Sequence, residues 1–193
     1  QGSDTMRKLR TIEMNRLSLK EFKEANKLPL VVVLDDVRSL YNVGSVFRSC
    51  DAFRVEAIYL CGITATPPSA EIHKTALGAE DSVDWKYFAN TEDAIRELKA
   101  NHYFVYSVEQ VEGSTKLHEL PATPFAGDRQ SCAVVLGNEV KGVRQEVVDM
   151  SDGCLEIPQF GTKHSLNVSV TAGIVVWEFA RRLLLQANNI DNQ

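Results

Sequence analysis

The 193 residues predict an α/β fold, a mainly parallel sheet flanked by helices. Leu30-Val31-Val32-Val33-Leu34 is a continuous apolar, largely β-branched run, the pattern of a strand covered on both faces. Residues 133–136 repeat that pattern. Strand-like runs alternate with helix-like segments along the chain, and no internal repeat or low-complexity tract interrupts them.

Each element has its own signal. Ser18-Leu19-Lys20-Glu21 reads as a capping box that opens a short helix to about residue 27. Leu28-Pro29 ends it, because proline disfavours helical backbone in the residue before it. Residues 30–34 form the first strand, which Asp35-Asp36 closes. A helix beginning at Asn42 carries Val43, Val46, Phe47 and Phe53 mostly at helical spacing, and residues 55–60 form the second strand. Residues 62–69 are a loop with Pro67-Pro68, 70–76 are helical and 81–88 extended. Thr91 caps a helix to about residue 101, with Ala94, Ile95 and Leu98 on one face. Residues 103–108 form a strand. Residues 113–129 are mostly loop, broken by Pro121 and Pro124. A buried strand at 133–136, a short helix at 143–150 and a short strand at 155–157 follow. The last helix runs from Asn167 to about residue 186, with Val168, Ala172, Val175, Val176, Phe179, Ala180 and Leu183 recurring near every 3.6 residues.

The length suits one domain with a short extension. Residues 1–28 read as a basic arm and helix, and residues 29–193 as the folded unit; Gln1-Gly2-Ser3-Asp4 carry no fold meaning. No apolar run approaches a membrane span and no leader pattern is present, so a cytoplasmic protein is expected. Cys50, Cys61, Cys132 and Cys154 are too scattered for a zinc site, and the four histidines supply no cluster, so neither metal nor disulfide is expected. The net charge is −5. Residues 1–27 nevertheless hold seven basic side chains (Arg7, Lys8, Arg10, Arg16, Lys20, Lys23, Lys27) against four acidic ones, a local excess of three. A basic arm on an acidic body fits local phosphate contact, and equally a solvated amphipathic helix.

Three blocks carry chemistry. Asn42-Val43-Gly44-Ser45-Val46-Phe47-Arg48 follows a buried strand, where helix amide groups face the sheet's carboxyl edge. Its plain reading is a capping Asn, a turn Gly and a surface Arg. Leu136-Gly137-Asn138-Glu139-Val140-Lys141-Gly142 follows a second buried strand. Val143-Arg144 stands where a phosphate-binding loop would need Lys and Ser/Thr, and no Gly-x-Gly-x-x-Gly fingerprint exists. Glu139, acceptor-only when ionised, suits hydroxyls, amines or a neighbouring Arg; a helix-start carboxylate is the plain alternative. Ser165-Leu166-Asn167 opens the apolar last helix, where simple capping is the alternative.

Together and in this order, the three blocks resemble the motifs of the SpoU (TrmH-like) RNA 2′-O-ribose methyltransferases, over roughly residues 18–185. Thr75-Ala76-Leu77-Gly78-Ala79-Glu80 also looks like a stretch seen in that family. The resemblance implies the SPOUT fold, with a C-terminal trefoil knot. It implies an enzyme that moves a methyl group from S-adenosylmethionine to a ribose 2′-hydroxyl of RNA, tRNA favoured over rRNA. The cofactor pocket would be built from Leu136, Gly137, Asn138, Ile157, Pro158, Gln159, Ser165 and Leu166. By similarity Arg48 sits at the 2′-hydroxyl. A guanidinium stays protonated, so its expected work is to hold a phosphate and stabilise the developing oxygen charge. Asn42, Glu139, Ser165 and Asn167 would orient it, the RNA and the loops. The arm residues Arg7, Lys8, Arg10, Arg16, Lys20 and Lys23 would contact RNA phosphates. A homodimer is implied, with the last helix and the Asn42 helix as candidate interface. Arg54, Thr171, Trp177, Gln159-Phe160 and Lys163-His164 depart from the family pattern and bear on substrate contacts. A non-catalytic RNA- or nucleotide-binding module on the same fold is the alternative.

Overall fold

The computed structural model describes residues 5–185. The expectations for residues 1–4, and for the last helix beyond residue 185, lie outside the described residues.

Seven strands form one sheet: β1 (Leu28–Asp35), β2 (Val55–Cys61), β3 (Asp84–Phe88), β4 (Tyr103–Val108), β5 (Thr115–Lys116), β6 (Ser131–Leu136) and β7 (Gly153–Glu156). Their order across the sheet is β3-β2-β1-β6-β4-β7-β5, and every neighbouring pair is parallel. The apolar runs that announced β1 and β6 lie side by side at its centre, Leu30 against Cys132 through Leu34 against Leu136. From β1 the chain first builds outward to β2 and β3. It then crosses to the other half for β4, and β6 returns to fill the gap. The strand order therefore reverses beside β1, and crevices for ligands open at such a point.

Helices cover both faces. On one side, α1 (Leu19–Glu24), α2 (Leu40–Ala52), α3 (Ala70–Ala76), α4 (Ala79–Ser82) and α7 (Val168–Ala180) close over Leu30, Val32, Leu34 and Val134. On the other, α5 (Thr91–Ala100) and α6 (Gln145–Met150) close over Val31, Val33, Ala133 and Val135. This alternation is the side-chain period of a strand, and it explains why β1 is apolar at every step.

Several boundaries differ from the expected ones. Ser39 rather than Asn42 caps α2, accepting from the Asn42 amide at 3.2 Å, so the helix begins two residues earlier. Asn90 rather than Thr91 caps α5. Residues 81–88 are not wholly extended, because α4 occupies their start. The expected loop at 113–129 contains β5 and a 3-10 turn at Leu117–Glu119. Pro29 lies inside β1, where the pairing with β2 shifts register between Leu28 and Val31 and no ladder donor is required of it. The Ser18–Glu21 capping box is present as expected, and Phe22 on the same helix is buried in the main core. Beyond α7 the chain continues as a π-helical turn, Arg181–Leu185. No cysteine among the described residues is in a disulfide, and burial pushes the Cys61 and Cys132 thiols up to about 12.

Gly44 is not a turn residue. A methyl group there would stand 2.0 Å from Thr75 Oγ1 and 2.3 Å from the Ile72 carbonyl oxygen. The glycine lets α2 lie directly on α3, and Thr75 Oγ1 secures the contact by donating to the Tyr41 carbonyl at 2.9 Å.

Candidate active site

The carboxyl ends of β6, β4 and β7 enclose a cleft of about 580 Å³. Leu136-Gly137-Asn138 leave β6 to form one wall, Glu109 and Gln110 leave β4, and Ile157 leaves β7. Ser165, Leu166 and Asn167 close the far side.

The wall after β6 is a tight loop. Asn138 and Gly142 exchange both backbone hydrogen bonds, at 3.0 and 2.9 Å. The Asn138 side chain fixes the rest. Its Oδ1 accepts from the Val140 and Lys141 amides, and its Nδ2 donates to the Asp36 carbonyl at 2.8 Å. A methyl group on Gly137 would stand 2.0 Å from the Gly142 carbonyl carbon, so only glycine permits the return strand to come so close.

Glu139 does not serve the helix that follows it. Its carboxylate crosses to the start of α2, where it accepts from the Arg38 amide at 3.0 Å and the Ser39 amide at 2.9 Å. Those are donors that a helix amino end leaves unpaired. Asn42 Nδ2 adds a third contact at 3.3 Å. Partial burial pushes the Glu139 carboxyl up. The Ser39 and Arg38 amides outweigh it and, with Asn42, hold it below its ordinary value.

Asn42 is buried and faces both ways. Its Oδ1 accepts from Asn167 Nδ2 at 3.3 Å. Asn167 Oδ1 in turn caps α7 through the Ser169 and Val170 amides at 2.9 and 3.3 Å. The polar side chains of all three sequence blocks thus form one continuous chain, Glu139 to Asn42 to Asn167. The two helices run on in parallel: Gly173 lies beside Ser49, and the Phe53 and Trp177 rings stand 5.7 Å apart.

Of the expected cofactor residues, Leu136, Gly137, Asn138, Ile157, Gln159, Ser165 and Leu166 line the cleft; Pro158 does not. Asn167 and Glu139 line it as well, while Asn42 supports them from behind. Arg48 is exposed on α2 and is not part of the cleft wall of its own chain. It has no hydrogen-bond or ion-pair partner among the described residues. In the arm, Arg7 and Arg10 both pair with Glu13, at 2.9 and 2.7 Å, and Lys23 pairs with Asp84 at 2.8 Å. Lys8, Arg16 and Lys20 are exposed. Sequence reasoning missed Glu109, Gln110 and Glu156 on the cleft wall, which Thr171 also lines. The signal was present for the first two, which directly follow a strand of the parallel sheet.

Behind the β6 loop lies a charged cluster. Asp35, fully buried, accepts from Thr91 Oγ1 at 2.5 Å, from the Arg144 amide at 3.2 Å and from Arg144 Nε at 3.3 Å. Arg144 also pairs with Glu92. The loop is thereby pinned at its exit to β1 and α5.

Residues 29–177 match the SpoU rRNA Methylase family. The chain is 30% identical over 178 residues to a 23S rRNA (guanosine-2′-O-)-methyltransferase of Neisseria meningitidis, covering 91% of this chain and 68% of that protein. It is 28% identical over 172 residues to a tRNA (guanosine(18)-2′-O)-methyltransferase of Thermus thermophilus, covering 89% and 84%. Among solved structures, the TrmH/SpoU tRNA modifying enzyme of A. aeolicus superposes with a TM-score of 0.75 at 26% identity, over 88% of this chain and 84% of that one. An AdoMet-bound rRNA methyltransferase from Sinorhizobium meliloti gives 0.72 at 29% identity, over 84% and 60%. The three blocks that the fold brings together fall within the matched span, and the chain belongs to the SpoU rRNA Methylase family.

Proposed function

We propose that this chain transfers a methyl group from S-adenosylmethionine to a ribose 2′-hydroxyl of RNA, with tRNA favoured over rRNA. The observation that carries the reading is the Glu139–Asn42–Asn167 side-chain chain, which locks the three blocks together at the lip of one cleft. The names of the Thermus relative and the A. aeolicus structural neighbour, both tRNA enzymes, support tRNA. Both curated relatives' names specify guanosine, so a guanosine is the first nucleotide to test.

The cleft fits the cofactor. Its volume is that of a small-molecule site. Ile157 and Leu166 offer apolar surface for a purine, while Gln159 and Ser165 add hydrogen-bonding groups. Bound there, S-adenosylmethionine supplies a methyl group already activated by a positive sulfur. The protein's work is alignment and charge stabilisation. Gly137 and Asn138 shape the donor wall. Asn167 holds the Ser165-Leu166 turn, and Glu139 fixes the start of α2. Arg48, a permanent cation, holds an RNA phosphate and stabilises negative charge developing on the attacked hydroxyl.

Arg48 reaches the reaction centre in a homodimer formed on the α2–α7 face. The support is the apolar stripe Val170, Ile174 and Trp177, which α7 exposes together with Tyr41 of α2. A helix that is apolar on all sides belongs in an interior or an interface. In this reading residues 29–193 are the methyltransferase unit. Residues 1–28 are a basic arm whose Arg7, Lys8, Arg10, Arg16, Lys20 and Lys23 contact RNA phosphates in the cytoplasm.

The test is labelled methyl transfer to size-fractionated RNA followed by alkaline hydrolysis, which a 2′-O-methyl group blocks at its own linkage. Label in hydrolysis-resistant dinucleotides of the tRNA fraction supports the reading, and label in mononucleotides refutes it. Arg48→Ala is expected to remove turnover while leaving donor binding intact. Normal turnover would take Arg48 out of the mechanism.

A further inference from the structure

We infer that Glu109 and Gln110, the first two residues beyond β4, form a bracket that fixes the two opposing walls of the cleft and so sets its affinity for the methyl donor. The inference rests on the cleft being the donor site. These are positioning residues: each acts through the loop it holds.

Glu109 takes one wall. Its Oε2 accepts from the Val143 amide at 3.1 Å, where the loop after β6 turns back toward the sheet. Gly142 has φ +70°, and a side chain there would stand 2.3 Å from that same oxygen. The glycine thus leaves room for the carboxylate as well as supplying a left-handed turn. Gln110 takes the other wall. Its Nε2 donates to the His164 carbonyl at 3.1 Å, directly before Ser165-Leu166-Asn167. The base of the bracket is rigid, because the Glu109 amide donates to the Leu155 carbonyl at 3.0 Å and Glu109 Oε1 accepts from the Gln110 amide at 2.9 Å. Both side chains line the cleft.

The second contact matters because of what it holds. Residues 158–166 have no helix or strand, and most are exposed. Among the described residues, the Gln110 bond is the one hydrogen bond that reaches them from elsewhere. A segment tied at one point opens at small free-energy cost. Donor affinity scales with the fraction of molecules in which the wall is in place. Once donor is bound, that fraction no longer matters. Loss of the bracket therefore weakens donor binding and leaves the chemical step alone. The Val143 contact needs only an acceptor oxygen, so a neutral amide serves it and gives up only the contact from the neighbouring Gln110 amide. A carboxylate acting as counter-charge to the donor's sulfonium would not tolerate that exchange.

The experiment is calorimetric titration of S-adenosylmethionine into the full chain and its Glu109→Ala, Glu109→Gln, Gln110→Ala and Gln110→Glu variants. Thermal melting, hydrogen exchange of residues 139–143 and limited trypsin digestion at Lys163 accompany it. Loss of one such bond is expected to weaken donor binding about tenfold in Glu109→Ala, Gln110→Ala and Gln110→Glu. Glu109→Gln is expected to stay within about threefold of the parent, since its amide oxygen keeps the Val143 contact that reaches the wall and only the contact from the adjacent Gln110 amide is lost. Tryptic cleavage after Lys163 quickens in Gln110→Ala, and exchange quickens at 139–143 in Glu109→Ala. Turnover at saturating donor stays within about twofold of the parent, because only the binding step is affected. Glu109→Gln as weak as Glu109→Ala overturns the bracket in favour of a charge role. Parental affinity in Gln110→Ala, or a matching fall in saturated turnover, also overturns it. An unmutated chain that does not bind the donor refutes the functional reading itself, whereas donor binding that the variants leave unchanged refutes only the bracket.

Discussion

Asn42 and Asn167 are hydrogen-bonded through their side-chain amides, Nδ2 of Asn167 to Oδ1 of Asn42 at 3.3 Å. Asn42 is buried, and its remaining donor goes to Glu139. No other side chain of its size offers an acceptor on one side and a donor on the other. Asn42→Asp keeps the acceptor and replaces the donor with a charge facing the Glu139 carboxylate. We expect a loss of about 2 kcal/mol in stability and a larger loss in methyl transfer, measured by urea unfolding and labelled donor. Parental stability in Asn42→Asp would show that the buried chain is not continuous.

Gly137 offers a sharper steric test. The atoms that a methyl group would meet are backbone, the Gly142 carbonyl carbon at 2.0 Å and the Val143 nitrogen at 2.2 Å. Backbone cannot rotate away as a side-chain tip can. Gly137→Ala is expected to cost about 1–3 kcal/mol and to abolish donor binding by opening the loop. Melting and calorimetry check both.

The Glu139 carboxyl is held below its ordinary value of 4.5. Its contribution to stability is therefore complete above that value and is lost as pH falls through the lower, folded value. Glu139→Gln carries no such proton linkage. The stability gap between the parent and Glu139→Gln is expected to be constant above about pH 5 and to close on acidification. Denaturant titrations across pH 3–7 measure it, and a gap that widens on acidification contradicts the assigned direction.

The central strands were legible because a buried parallel strand has an unmistakable composition, as Leu30 to Leu34 show. The chemistry of the motif residues was legible only as type. Asn42, Glu139 and Asn167 each carried a capping explanation. Asn167 does cap its helix, and Glu139 caps a helix a hundred residues away from its own. That second fact depends on β1 and β6 being neighbours, which local patterns do not encode. Gly44 was misread because a glycine needed for helix–helix contact looks in sequence like a glycine needed for a turn. Glu109 and Gln110 went unnoticed because their partners, the Val143 amide and the His164 carbonyl, are backbone and leave no side-chain signature.

Arg144 links the β6 loop to a fully buried carboxylate, Asp35. Removing one partner of such a pair strands the other charge away from water. Arg144→Ala is expected to cost about 3 kcal/mol, the low end for such a change because the guanidinium is one-third exposed. Adding Asp35→Asn should restore part of the loss by removing the stranded charge. A double variant less stable than Arg144→Ala would assign the cost to lost packing instead.

The exposed stripe on α7 tests the proposed dimer separately from the chemistry. Val170, Ile174 and Trp177 recur on one solvent-facing side, with Ile174 37% and Val170 51% exposed. Their opposite neighbours Ala172, Val175, Val176 and Phe179 are buried in the core. A charge at 170 or 174 therefore leaves the core of the chain untouched. Val170→Glu with Ile174→Glu is expected to shift sedimentation from dimer to monomer, to keep the melting temperature of a folded chain, and to keep donor binding, because neither residue lines the cleft. Methyl transfer should fall with the dimer, since the cleft of a single chain lacks Arg48. A monomeric variant that still methylates RNA at the parental rate would place Arg48 outside the reaction and return the α7 stripe to ordinary surface.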